Sequence, residues 1–351
     1  MRNPLTVLKR RISDSGNART DGGTQTQTRS WLDRDSVRSA PFWLPPFLLI
    51  GLFVYGAILW NIALSLTNFQ GLGDPDYSNL DFENYEVAFS GGTPSWSNLN
   101  VDPIWNATQN TIVLMLAFAV ICLALGLLLA ILVDQDIRFE NTLRTIYLLP
   151  MSLSFVVTAK FWLYMYDAES GLVNAFFGLF GLGPYRIIQN PTLIGIDSIT
   201  LGPIAIGSIG IPVKLAAVVF ALIWQFSGYA MIVYLAGLRA IPSSHFEAAR
   251  IDGASTIRMY WRVIIPQLRT ATVSALVVLV VFALKAFDFL FSMYGGYNPG
   301  PSADILATQM VREAYGNQNW AYGSAIAVVL FVMALTIVAP YIYSQYKQGQ
   351  L

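Results

Sequence analysis

Of the 351 residues, 55% are hydrophobic and only 12% are charged; the mean hydropathy is +0.52 and the formal net charge is zero. A soluble domain carries about 25% charged residues, so this balance excludes an ordinary soluble enzyme and indicates an integral membrane protein. The lone Cys122 excludes an internal disulfide, and with a single histidine, His245, it leaves no His/Cys metal cluster.

Residues 1–40 are polar and hold eight of the 21 Lys and Arg residues, which reads as a disordered tail that anchors the topology. The first span is expected over 42–66, long enough for a bilayer of about 30 Å. Pro41, Pro45 and Pro46 stand at its start, where proline costs least. From Thr67 to Ala107 there are six acidic residues (the last Asp102) and no Lys or Arg, the mark of an external loop. A second span is expected over 111–133. Arg138 and Arg144 mark the next loop as internal, and a third span follows over 146–166 with Lys160 inside it.

The stretch 167–212 is ambiguous. Ile187–Ile211 is apolar, but Pro191, Gly195, Gly202, Pro203, Gly207 and Gly210 interrupt it, and a lipid-exposed span must satisfy its backbone within a helix. Counting it as a span would also turn the basic loop holding Arg239, Arg250, Arg258, Arg262 and Arg269 outward. It is therefore read as an external segment, with 172–182 as an interfacial helix. Further spans are expected over 213–238, 272–294 and 321–343. Sixteen of the 21 cationic residues then lie inside, against Arg186, Lys214 and Arg312 outside. The pattern predicts an all-α membrane protein with six transmembrane helices, spanning 41–346, with both termini cytoplasmic.

The loop 239–270 reads as two short helices. Ser244 and Glu247 have the spacing of a capping box. Gly253 falls where a helix of two turns would end in a left-handed residue, and Ser255 or Thr256 caps a second helix. Ile257, Tyr260, Trp261 and Ile264 recur at helical spacing. The pattern suits either a docking arm or an amphipathic helix on the membrane surface.

Chemistry-bearing residues are few. No phosphate-cradling Gly-x-x-x-x-Gly-Lys-Ser/Thr occurs, and no Ser/His/Asp or Cys/His catalytic set can be assembled. Lys285 and Asp288, at i and i+3, share a helix face if their span is continuous. They are either substrate-pathway residues or a structural ion pair. Trp224, Gln225, Ser227, Gly228 and Tyr229 offer an aromatic face beside hydrogen-bonding groups, which suits a sugar. Small residues among them suit helix packing equally.

The run Glu247-Ala248-Ala249-Arg250-Ile251-Asp252-Gly253-Ala254, followed by Val263-Ile264-Ile265-Pro266, resembles the EAA loop of ATP-binding-cassette importer permeases. Gly237-Leu238-Arg239-Ala240-Ile241-Pro242 resembles the carbohydrate branch, to which the maltose permeases belong. Leu143–Pro150 with Leu153–Thr158 is most similar in look to glucose/mannose-type permeases. This resemblance implies the type I importer permease fold with a cytoplasmic coupling helix. Its coupling residues would be Glu247, Ala248, Ala249, Asp252 and Gly253. Tyr229 matches an aromatic of the maltose-permease sugar site, whereas Ala283 and Ala286 stand where that site has asparagines. The implied partners are a second permease subunit, two ATP-binding-cassette subunits, an external sugar-binding protein and the lipid bilayer, with no nucleic acid. The chain itself is expected to be no enzyme and to hold no cofactor, with ATP and Mg on the partner. The implied location is the cell membrane. A secondary transporter, which should show inverted repeats, and a permease for a non-sugar solute are the alternatives.

Overall fold

The computed structural model describes residues 39–90, 103–135, 139–196, 199–201, 204–206 and 209–347. The tail expected over 1–40 lies outside these but for Ser39 and Ala40, as do Asp102 and Arg138. The chain divides into two compact units, Met1–Ala57 and Ile58–Leu351. In the first, helix α1 (Ala40–Ile50) runs into a π-helical turn at Gly51–Tyr55, and α1 buries none of its residues.

The core of the second unit is built from helices. After α2 (Gly56–Ser65) come a short α3 (Glu83–Phe89) and the long α4 (Pro103–Val133). Helix α4 begins eight residues before the span expected over 111–133. Its polar first turns stay helical because their side chains bond a distant segment. Asn110 Nδ2 donates to the carbonyls of Pro301 and Asp304 at 2.8 and 2.7 Å, and Thr111 Oγ1 accepts from Leu306 N.

The third expected span is not one helix. Helix α5 (Glu140–Leu148) tightens into a 3-10 turn at Leu149–Ser152 containing Pro150. The backbone then extends at Leu153, and Ser154 caps α6 (Phe155–Met165) by accepting from Val157 N. The two halves meet at 100°. Eleven residues at about 1.5 Å each reach only half of a ~30 Å hydrocarbon core, so α6 alone is too short for the span expected over 146–166.

Helix α7 (Leu172–Gly178) falls within the segment read as interfacial. Beyond it, the described residues of 187–211 form no helix of span length. It holds a 3-10 turn at Ile187–Gln189 and four short strands, β1 (Leu193–Ile196), β2 (Ile199–Leu201), β3 (Ile204–Ile206) and β4 (Ile209–Pro212). β1 pairs antiparallel with β4, Leu193 opposite Pro212, and β2 with β3, Ile199 opposite Ile206. The strands are rich in β-branched isoleucine, and Gly195 and Gly210 lie within them, opposite each other.

Helix α8 (Val213–Ala240) is the central helix. The loop that follows contains α9 (Ser243–Ile251), α10 (Thr256–Met259), a π turn at Tyr260–Ile264 and α11 (Ile265–Gln267). It bends by 67° into α12 (Arg269–Leu284). The expected span 272–294 breaks at Lys285–Ala286 before α13 (Phe287–Tyr294). Finally α14 (Leu306–Val311) and a π turn at Arg312–Gly316 lead to α15 (Trp320–Lys347). Among the described residues, four helices are long and apolar enough to cross a membrane, Ala40–Ser65, Ile104–Val133, Val213–Ala240 and Trp320–Pro340. Two bent pairs, Glu140–Ser152 with Phe155–Met165 and Thr256–Gln267 with Arg269–Leu284, raise the number to six if each is one span.

The core of the second unit is an aromatic and aliphatic cluster between α4, α6, α8, α12 and α13. Phe226 is at its centre, stacked on Phe282 at 4.5 Å and edge-on to Phe118 at 5.9 Å. Two glycines set how closely the helices approach. A Cβ at Gly126 on α4 would meet the Ala230 Cβ of α8 at 2.4 Å. A Cβ at Gly228 would meet the Tyr147 carbonyl oxygen of α5 at 2.0 Å. Small residues permit such backbone contact in membrane helices. Gly228→Ala must therefore push α5 off α8. Overpacking of this kind costs about 1–3 kcal/mol, read as a lowered midpoint of thermal unfolding in detergent. An unchanged midpoint would contradict the close approach.

Candidate functional site

The loop after α8 is built as a two-helix arm. Pro242, in an extended conformation, precedes α9 and no side chain caps the helix, so the expected Ser244–Glu247 capping box does not form. Instead the Pro242 carbonyl accepts from His245 N at 3.1 Å. The other end follows the sequence closely. Gly253 has φ 72°, Gly253 N donates to the Arg250 carbonyl, and Ala254 N donates to the Ala249 carbonyl, both at 3.0 Å. This is a Schellman turn, which closes the last carbonyls of α9. Of the two candidate caps of the next helix, Ser255 accepts from Arg258 N.

One side of this arm is buried. Ala249, Met259, Ile264 and Leu268 pack with Tyr234, Leu235 and Leu238 of α8 and with Ala130 and Val133 of α4. Phe246 meets Tyr260 edge-on at 6.5 Å, joining the two short helices. The other side is open. Glu247, Ala248, Asp252 and Gly253 are exposed, and so are three large apolar side chains, Ile251 (86%), Ile257 (83%) and Trp261 (73%). The four-residue spacing from Ile257 to Trp261 was visible in the sequence. Its direction was not: Ile264, on the same periodic list, faces the core. Large apolar groups exposed on this arm suit contact with a partner or with the membrane surface.

The substrate-pathway candidates do not converge. Trp224 stacks on Phe161 of α6 at 5.5 Å and meets Trp162 edge-on at 5.7 Å. Gln225 is buried, and its Nε2 donates to the Leu153 carbonyl at 2.8 Å, exactly where α5 gives way to α6. Its role here is to satisfy a backbone group freed by the bend. Tyr229 is half-buried against the core. Lys285 lies in the α12–α13 break and Asp288 in the first turn of α13, and both are exposed. The shared face expected from i, i+3 spacing requires an unbroken helix, and no ion pair joins the two residues. Nor does a hydrogen bond, ion pair or ring contact link either of them to Trp224 or Gln225.

A cavity of about 780 Å³ beside α6, α7 and α8 is lined by Trp162, Tyr166, Phe176, Ile187 and Phe220, all apolar or aromatic. None of the expected pathway residues lines it.

Comparison with known proteins adds to this geometry. The family model described as binding-protein-dependent transport system inner membrane component matches residues 123–349. The chain belongs to this family. As an inner membrane component of such a system, it carries the exposed arm within the matched region. It is 50% identical over 329 residues to the xylose/arabinose import permease protein XacH of Haloferax volcanii, covering 94% of each chain. It is 26% identical to the trehalose/maltose transport system permease protein MalF of Thermococcus litoralis, over 70% of this chain and 75% of that one. Among solved structures, a chain of a bacterial alginate transporter, in complex with an alginate pentasaccharide-bound periplasmic protein, shares the fold. Its TM-score is 0.69 at 19% identity, covering 91% of this chain and 98% of that one.

Proposed function

We propose that this chain is one of two transmembrane subunits of an ATP-driven sugar importer and that the arm 239–270 docks on a separate ATPase subunit. The observation that carries this reading is the arm's open face. Ile251, Ile257 and Trp261 are exposed at the end of a family-matched bundle, around a fixed Schellman turn. Such a face presents helix residues to a groove on a partner. ATP and Mg would be bound and hydrolysed there, since this sequence has no phosphate-cradling loop. The placement of sixteen of 21 cationic residues on one side supports a six-span topology with the arm and both termini in the cytoplasm. Sugar as the cargo rests on relatives whose names carry xylose/arabinose and trehalose/maltose. An external binding protein would deliver it.

Purification of the affinity-tagged chain from its native membrane tests this. The expected result is an eluate containing an ATPase subunit and a second multi-span permease. The Ile251→Asp/Trp261→Asp variant should retain the second permease and lose the ATPase. An ATPase retained at wild-type stoichiometry in that variant would place docking elsewhere. Uptake of labelled pentoses against disaccharides by the reconstituted complex then separates the sugar classes.

A further inference from the structure

The arm is joined to the rest of the molecule by more than its covalent ends. Arg239 stands at the last turn of α8, at the root of the arm, ahead of its two short helices. Its guanidinium donates to Glu140 Oε1 at 2.5 Å and places Nε 3.7 Å from Asp134 Oδ1. Asp134 directly follows α4, and Glu140 is the first residue of α5. The same Glu140 oxygen accepts from Arg144, one turn further along α5. A second link reaches the arm itself: Gln135 Nε2 donates to the Tyr260 hydroxyl at 3.0 Å. Helix α5 in turn leads rigidly to the 100° bend, and Tyr147 and Leu153 seat that bend on Gly228 and Gln225 of α8.

We propose that Arg239 is a positioning residue, a latch between the root of the arm and the α5–α6 bend, through which arm displacement moves α6. This inference rests on the reading of the arm as the ATPase-docking segment. Arginine suits the task because its fork addresses two carboxylates at once, which a lysine ammonium does not do with fixed geometry. Stability is not the reason for the cluster. Half-exposed ion pairs contribute little, and the Arg239 side chain is 50% exposed. What the cluster fixes is where the arm sits relative to the start of α5. Without it, the arm is still held to α8 and α4 by Ala249, Met259 and Leu268, and the ATPase still docks. The motion then reaches the bent pair only indirectly, through α8 at Gly228 and Gln225, and no longer at the start of α5.

The test uses the whole importer complex in proteoliposomes, with uptake and ATP hydrolysis measured together. Arg239→Glu should leave the ATPase subunit bound and the midpoint of thermal unfolding unchanged. Uptake per ATP hydrolysed should fall roughly tenfold, within the range of allosteric couplings. Glu140→Gln, which removes one acceptor without adding a repulsive charge, should fall less, by roughly threefold. The charge swap Glu140→Arg/Arg239→Glu should restore uptake per ATP to within roughly threefold of wild type. Wild-type coupling in Arg239→Glu, or a swap as defective as the single variant, overturns the latch while leaving ATPase docking intact. A wild-type complex that transports without any bound ATPase overturns the docking reading and the latch with it.

Discussion

Replacing Gly253 by glutamate should abolish uptake while leaving the subunit in the membrane. The residue is at φ 72°, in the left-handed region, and a Cβ there meets no atom within 4 Å. The fold itself therefore has room for a side chain. The conformational penalty for a non-glycine residue is about 1–2 kcal/mol, well below the ~5–15 kcal/mol that holds a domain together. Two local effects remain, and both fall on the arm's open face. The Schellman bonds from Gly253 N to Arg250 O and from Ala254 N to Ala249 O set the angle between α9 and α10, and strain at Gly253 opens them. A carboxylate is also introduced between Ile251 and Ile257, which are 86% and 83% exposed and have no polar partner to offer it. Burying that charge in a partner groove is costly without a counter-charge. The measurement is uptake together with ATPase activity in vesicles, with the subunit quantified in the membrane fraction. Gly253→Asn is the discriminating control, because asparagine tolerates the left-handed region and adds no charge; it should keep a large share of uptake. Wild-type uptake in Gly253→Glu would remove the coupling role from this turn.

The sequence carried the arm well because its signals are local. A glycine at a helix end and a serine before the next helix act within four residues, and both caps appear where they were expected. Two spans were equally plain, since 213–238 and 321–343 are long, mostly apolar runs that fall within α8 and α15. What hydropathy does not encode is direction. A window over 146–166 sums apolar residues on both sides of Pro150 and Leu153 and cannot register a 100° bend between them. The break at Lys285–Ala286 was hidden in the same way, and with it the separation of Lys285 from Asp288. The polar turns of α4 failed for a different reason. Asn106 and Asn110, before the expected start at Thr111, look unsuited to a membrane helix until the partners of Asn110, nearly 200 residues later, are known. The Glu247 capping box failed because Pro242 sets the entry to α9 two residues earlier than Ser244 would. Gln225 and Trp224 were chosen for chemistry that would suit a sugar, but the Gln225 Nε2 is engaged by the Leu153 carbonyl and the Trp224 ring by Phe161. Residue type named the right helix there and could not name the neighbour.

Those distant partners of α4 form the buried polar cluster where the largest stability effect is expected. Asp304, 6% exposed, pairs with Arg312 at 2.7 Å, and Thr308 Oγ1 donates to its other oxygen at 2.5 Å. The backbone carbonyl of Asp304 receives Asn110, so the cluster fastens the segment before α14 to α4. Burial pushes the Asp304 carboxyl above the usual carboxylate range, with Arg312 and Thr308 pulling in the opposite direction. Removing the arginine leaves burial unopposed except by Thr308. Arg312→Met should then destabilise the protein by about 3–5 kcal/mol, the cost of stranding a buried charge. Asp304→Asn/Arg312→Met should melt above the single variant, because no charge is left unpaired. The pH dependence has a definite sign. With the folded-state carboxyl raised, the folded protein holds the proton more tightly than the unfolded chain. The contribution of this carboxyl is therefore fully present below the unfolded carboxylate value near 3.8 and is lost as pH rises through the folded one. In Arg312→Met this loss should deepen, so acidifying the buffer from neutrality narrows the gap to wild type, whereas the double variant shows no such recovery. Thermal melts in detergent across that pH series read all three proteins, and an Arg312→Met protein that melts with wild type at neutral pH would show that the Asp304 carboxyl does not depend on its partner.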